Sequence, residues 1–355
     1  MFTYYWCIVF ILLFALISDI SKNKKFFLLM SYILLVFISS FRGNTVGGDL
    51  GNYLPLYREV SNMSFSDMLS PTKYGYPFIF LNKIISFIST NEQFFIIITS
   101  IINISFVFLF IRKYSKVFWL SVLLYITFAY YTNSFNSIRS SMALGCILFS
   151  YKFILARKYI KFLLMVVLAT SIHLSAVVLV FLYPFSKIKP NLLFIVSSVL
   201  CCFFISEIMG PIILYVSSLY NPQYAMYESE SSGKTLLMLL FAITLFAWFF
   251  NRKQKDNSIL FFTSVMLYAT CLQCFAPYFG LMTRCSLFFH ISLIVLIPNV
   301  LYVTKLKRFR ELTYLSVIIL SLLYFKVTVM TLNDAGTNSQ ATLPYEFCWN
   351  NTQTI

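Results

Sequence analysis

The chain has 355 residues, of which 59% are hydrophobic and 11% charged, with a mean hydropathy of +0.81. A soluble domain carries roughly 25% charged residues, so this composition excludes a soluble globular fold and fits a chain whose apolar surface is solvated by lipid. The net charge of +15 would point to nucleic acid on a soluble protein; here the cations lie in short clusters between apolar runs, which is a topological signal, and no nucleic-acid partner is expected.

Each crossing needs about 20 mainly apolar residues. The apolar runs occupy 2–18, 26–41, 94–111, 117–132, 141–156, 162–183, 235–250, 258–278, 285–303 and 313–332. They predict an all-α fold, a polytopic integral membrane helical bundle of about 10–12 transmembrane helices. Residues 1–355 read as a single transmembrane domain with no separate soluble domain. The first run, from Phe2 to Ile17, has neither a basic flank before it nor a small-residue cleavage site after it. It reads as the first helix and not as a secretory signal.

Two stretches are ambiguous. Residues 77–90 are short and contain Lys83, while 191–220 are long and interrupted by Glu207 and by Gly210-Pro211. Five basic clusters separate the runs: Lys22/Lys24/Lys25, Arg112/Lys113/Lys116, Arg157/Lys158/Lys161, Arg252/Lys253/Lys255 and Lys305/Lys307/Arg308/Arg310. The positive-inside rule puts all five on the cytoplasmic side. That holds if 77–90 is re-entrant or interfacial and if 191–220 forms a hairpin that crosses twice, giving twelve crossings and both termini outside. The outer segments are then the loop 42–76, the short 133–140, 221–234 with Glu228 and Glu230, 279–284, and an extracytoplasmic tail 333–355 with Asp334 and Glu346.

Eight cysteines are present, most of them inside apolar runs. Cys271 and Cys274 have CxxC spacing, but on a membrane helix with no nearby His or acid they read as packing residues more than as redox or metal ligands.

Polar chemistry concentrates in a few places. The loop Arg42-Gly43-Asn44-Thr45-Val46-Gly47-Gly48-Asp49-Leu50-Gly51-Asn52-Tyr53 surrounds one carboxylate with glycines. Asp49 is either a helix N-cap or part of a polar site facing a membrane-associated substrate, and the two are compatible. In Asn136-Ser137-Ile138-Arg139, the arginine either snorkels to headgroups or binds phosphate with its planar fork. His173 lies within the 162–183 run, about ten residues or roughly 15 Å from either end. Such a residue faces a bundle interior or a wet cavity, as a structural group or as part of a site. Arg284 precedes another apolar run, and Pro344-Tyr345-Glu346-Phe347 stands in a tail that either orders over a site or frays. Walker A, dinucleotide, HExxH and GxSxG motifs are missing, as is any Asp-x-Asp pair. A lipid-linked donor is expected in place of a nucleotide, with no cofactor and no metal.

In this order, these stretches resemble the EpsG-like branch of the Wzy-type polysaccharide polymerases. The resemblance rests on Arg42, Gly48, Asp49 and Tyr53; on Asn136, Ile138, Arg139 and Ala143; on His173, Ser175 and Ala176; on Arg284; and on Pro344, Tyr345 and Phe347. It spans nearly the whole chain. Leu50 departs from it, standing where relatives often carry an aromatic residue. The resemblance implies glycosyl transfer at the outer face of the bacterial cytoplasmic membrane. Undecaprenyl-diphosphate-linked oligosaccharide repeat units would be joined into O-antigen, capsular or exopolysaccharide, and a chain-length-regulating co-polymerase would be a partner. Asp49, His173 and Arg139 are then the expected catalytic residues, with Asp49 as base. Arg42, Tyr53, Asn136, Arg284 and Tyr345 are expected to bind substrate, and Tyr53 and Tyr57 to pack on sugar faces. The alternatives are a lipid-linked oligosaccharide flippase and another lipid-linked glycan transferase such as an O-antigen ligase. The longest outer loop, about 35 residues, is short for a ligase, and the polar residues cluster outside rather than along a midplane path.

Overall fold

The computed structural model describes residues 2–69, 74–220, 232–304, 307–331 and 342–350. Glu228, Glu230, Lys305 and Asp334 lie outside the described residues. The chain is all-α. In order, the helices are α1 (Phe2–Ser21), α2 (Lys24–Ser40), α3 (Leu50–Asn62), α4 (Tyr76–Ile88), α5 (Glu92–Tyr114), α6 (Phe118–Thr127), α7 (Tyr130–Asn136), α8 (Ile138–Leu155), α9 (Tyr159–Ile172), α10 (Leu182–Phe185), α11 (Leu192–Tyr220), α12 (Ser232–Gln254), α13 (Asn257–Gln273), α14 (Leu281–His290), α15 (Leu293–Val303) and α16 (Lys307–Phe325). A 3₁₀ segment, Leu174–Phe181, links α9 to α10.

Seven stretches among the described residues are helical, long and apolar enough to cross a membrane: α1, α5, α8, Leu192–Val216, Gly233–Gln254, Leu281–Val303 and Glu311–Val329. Shorter apolar helices accompany them, and the protein is a multi-pass membrane protein. Polar residues at the helix ends satisfy backbone groups that would be orphaned. The Asn23, Asn91 and Asp256 side chains accept from the first-turn N–H groups of α2, α5 and α13. Arg112 and Lys113 close α5, and Arg252 and Lys253 close α12, where cations meet the negative end of the helix dipole.

The chain divides into two compact units. The first comprises Met1–Tyr151, Leu164–Leu174 and Glu311–Ile355; the second comprises Lys152–Leu163 and Ser175–Arg310.

In the first unit α2 packs along α5, joined by Ser39 Oγ to Ser100 Oγ at 2.9 Å and by Tyr32 and Ser105 hydroxyls at 2.8 Å. Gly145 of α8 faces the Phe106 ring of α5 so closely that a Cβ there would stand 2.2 Å from it. Helices α3 and α4 pack together over a core that includes Leu50, Tyr53, Phe78, Phe95, Ile138 and Met142. The 13 residues of α4 span only about 20 Å, short of a hydrocarbon core of about 30 Å. Lys83 explains itself here. Its ammonium donates to the Val60, Ser61 and Met63 carbonyls at 3.3, 3.1 and 2.7 Å, closing the C-terminal end of α3. The segment 77–90 therefore belongs with the loop helix α3, in keeping with a non-crossing role. Tyr57 differs from expectation. Its ring is fully buried against Phe95 at 4.9 Å and its hydroxyl donates to the Ser89 carbonyl, so it offers no face to a sugar.

Two sequence expectations fail further along the chain. The stretch 191–220 is not a hairpin: α11 runs unbroken for 29 residues through Gly210-Pro211. The run 162–183 is not one continuous span. Helix α9 stops at Ile172, and the chain continues as the 3₁₀ segment and α10. The Tyr183 ring returns to within 4.9 Å of Tyr159 and 5.2 Å of Phe162 at the start of α9. The chain thus returns at Tyr183 to the start of α9. The returning limb runs beside α13, where Tyr268 donates to the Val178 carbonyl at 2.7 Å and Ser264 to the Ile188 carbonyl at 3.2 Å. Helix α11 meets α13 through Ile195, Val199, Leu267, Cys271 and Cys274, so this CxxC pair packs a helix interface.

Candidate functional site

Four of the sequence-predicted residues converge in the first unit, and the local backbone shows why. Gly47 has φ +115°, a conformation that side chains resist. A Cβ at Gly47 would stand 2.7 Å from the Phe135 carbonyl. Only glycine lets the loop lie flat against the end of α7. Two residues later the Asp49 N–H donates to the Asn136 side-chain oxygen at 2.8 Å, so Asn136 pins the loop at its carboxylate. Asp49 occupies the N-cap position of α3, but its side chain does not cap that helix.

Tyr53, one turn into α3, is buried, with its ring packed edge-on to Phe78 at 5.5 Å. The Arg139 backbone N–H donates to its hydroxyl. Burial pushes the phenol up to about 12, the Asp49 charge adds to that rise and the Arg139 charge opposes it. Tyr53 thus sits within electrostatic reach of both, and it is a neutral hydroxyl at any physiological pH. Its buried ring acts through packing and its hydroxyl, not as a sugar platform.

Arg139 is half-buried in the first turn of α8, at the positive end of the helix dipole where anions are favoured. Its guanidinium carbon stands 5.3 Å from the centre of the Tyr74 ring. Sequence reasoning missed Tyr74 and its neighbour Gly75. A Cβ on Gly75 would fall 1.8 Å from the Ser171 carbonyl, so the backbone here touches the last turn of α9 directly. His173 follows two residues on, where its N–H closes the last helical bond to Ala169 at 2.9 Å. The signal for this contact was a lone glycine before Tyr76-Pro77, which reads only as a helix start.

Arg42 differs from Arg139 in kind. It is 1% exposed. Its Nη1 donates to the Ser39 carbonyl, and to the Ser39 and Ser100 hydroxyls at 3.0 Å each. Its guanidinium lies 4.9 Å over the Phe135 ring. Burial draws its pKa down to about 10, and Tyr345, Tyr131 and Tyr4 partly offset that, so the cation persists at neutral pH. The tail folds over it. Gly43 N–H donates to the Glu346 carbonyl at 2.8 Å, Cys348 N–H to the Phe41 carbonyl at 2.9 Å, and the Tyr345 hydroxyl to the Ile38 carbonyl at 2.5 Å. The tail from Thr342 to Asn350 is therefore ordered, with the Tyr345 ring edge-on to Tyr4 at 5.7 Å. Arg284, exposed in the first turn of α14, belongs to the second unit.

The first unit thus brings a carboxylate, a phenol, a side-chain amide and a guanidinium to one loop and one helix start.

The family model described as the EpsG family matches residues 25–347. Among curated proteins, the amylovoran biosynthesis protein AmsC of Erwinia amylovora is 26% identical over 187 residues, covering 49% of this chain and 49% of that protein. The match thus spans about half the length of that relative. No solved structure matches the chain.

Proposed function

The chain belongs to the EpsG family, and on that premise we propose that it is a glycosyltransferase that polymerises polyprenyl-diphosphate-linked oligosaccharide repeat units into an exopolysaccharide, capsular polysaccharide or O-antigen. The observation that carries this is the convergence of Asp49, Tyr53, Asn136 and Arg139 on one loop and one helix start. Asp49 takes the proton of the acceptor hydroxyl, whose oxygen forms the new bond to the anomeric carbon. The anomeric carbon–oxygen bond to the diphosphate breaks, and Arg139 with the α8 N-terminus receives the charge that develops there. His173, which directly follows α9, acts on the diphosphate. Arg42 and Tyr345 position the loop from behind.

The site faces the cell exterior or periplasm, across the bacterial cytoplasmic membrane. The crossings are α1, α2, α5, α6 with α7, α8, α11, α12, α13, α14 with α15, and α16. The hairpin of α9 and α10 enters and returns. All five basic clusters then share the cytoplasmic side with Lys187 and Lys189 at the hairpin's base, as the positive-inside rule requires. A chain-length-regulating co-polymerase is the expected protein partner.

Full-length protein in proteoliposomes, supplied with the lipid-linked repeat unit, tests the reading. A ladder of lengthening lipid-linked products, with release of polyprenyl diphosphate, is expected. Transfer of the repeat unit across the bilayer without any lengthening would replace the polymerase with a flippase.

A further inference from the structure

Glu207 is the one Asp, Glu, Lys, Arg or His in the 29 positions of α11, and nothing in the reaction above uses it. An acid on an otherwise apolar crossing helix is costly and marks a functional position by default. Glu207 stands 15 residues after Leu192, roughly 22 Å along the helix, most of the way across a core of about 30 Å. It is exposed, beside Phe204 at 63% and Ile208 at 69%, on a face open to lipid.

Three features build a site around it. The Tyr278 phenol, from the turn after α13, lies beside the Glu207 carboxylate. Gly210 makes room for that tyrosine, since a Cβ there would fall 2.4 Å from its ring. Pro211 has no N–H, so the Glu207 carbonyl loses its helical donor. A carboxylate, the phenol oxygen beside it and, on the same residue as the carboxylate, a carbonyl short of a donor therefore lie within one turn of α11.

We propose that Glu207, the Glu207 carbonyl and Tyr278 form a sugar-hydroxyl subsite for a lipid-linked oligosaccharide that enters sideways from the bilayer. A neutral polyol supplies several donors and no charge, which is what this set of acceptors lacks. The opening among lipid-facing residues suits a ligand tethered to a lipid. The inference rests on the polymerase reading for its choice of sugar.

The test is binding to full-length protein in nanodiscs, using polyprenyl diphosphate that carries one repeat unit and bare polyprenyl diphosphate as the control. Glu207→Gln is expected to weaken the sugar-bearing lipid about tenfold and to leave the bare lipid unchanged. Pro211→Ala, which returns a donor to the Glu207 carbonyl, should weaken it about twofold to threefold in the same selective way. Equal weakening of both lipids, or no change in either, overturns the subsite. If the Gln variant does not fold, the Pro211 variant and Tyr278→Phe decide by the same criterion. Selective loss of binding in the variants, with a wild-type protein that never lengthens its substrate, would keep this subsite and remove the polymerase reading alone.

Discussion

Arg42 and Arg139 stand in the same unit, and the sequence presents both as isolated cations beside apolar spans. Arg42 is sealed behind the loop by Ser39, Ser100, Phe135 and the returning tail. Arg139 is half-buried at a helix start, over a tyrosine ring and beside a carboxylate loop. A cation that meets a diphosphate must be reachable. Arg139 is half-buried, while Arg42 is 1% exposed and gives its Nη1 to its own scaffold. The contrast teaches that burial, not residue type, separates a positioning arginine from a binding one.

The contrast can be broken by substitution, starting with the largest expected effect. Arg139→Ala should lower the polymerisation rate about 100- to 1,000-fold, the cost of losing a donor to developing charge, with thermal stability in detergent unchanged. Arg139→Lys should recover only part, because a point charge does not replace a planar fork. Arg42→Ala should do the reverse in kind and lose about 2–3 kcal/mol of stability. The tail should loosen with it, so that Cys348, which is half-buried and free, reacts faster with a maleimide. Gly47→Ala should cost about 1–2 kcal/mol through its positive φ and lower activity by shifting Asp49 away from Asn136; measuring stability and rate on one preparation separates the two losses.

Tyr53 gives the smallest effect and a sign that can be checked. Its folded pKa of about 12 lies above its ordinary value, so the phenol keeps its proton through the range where an exposed tyrosine loses one. Tyr53→Phe should lower the rate less than tenfold, the scale of one neutral hydrogen bond, without changing the pH profile below pH 10. A rate limb near pH 10 that vanishes in the variant would contradict this placement.

How much was legible in the sequence differs between the two units. The loop residues Arg42, Asp49, Asn136 and Arg139 could be picked out because polar side chains are conspicuous against apolar runs, and all four lie in the first unit. Their division into support and site could not, because it depends on which cation the tail covers. Further along the chain the punctuation misled. Gly210-Pro211 looks like a break, yet α11 passes through it. Membrane helices tolerate proline, and the glycine makes room for Tyr278 instead. The real break, at His173, has no glycine or proline anywhere from 164 to 183. Packing between limbs, seen at Tyr159, Phe162 and Tyr183, sets that reversal, and local sequence does not encode it. In the topology proposed above the two differences offset each other, since one crossing fewer at 162–183 and one fewer at 191–220 leave the side of every later basic cluster unchanged.

The central claim is that Asp49 and Arg139 form the reacting part of a polysaccharide polymerase. It is tested most directly in a strain deleted for the gene and complemented with wild type, Asp49→Ala or Arg139→Ala at matched membrane levels. The readout is surface polysaccharide resolved by length on a gel. The account predicts a long-chain ladder with wild type, and single repeat units without the ladder for both variants. A full ladder from either variant, with no second polymerase in the strain, would contradict it.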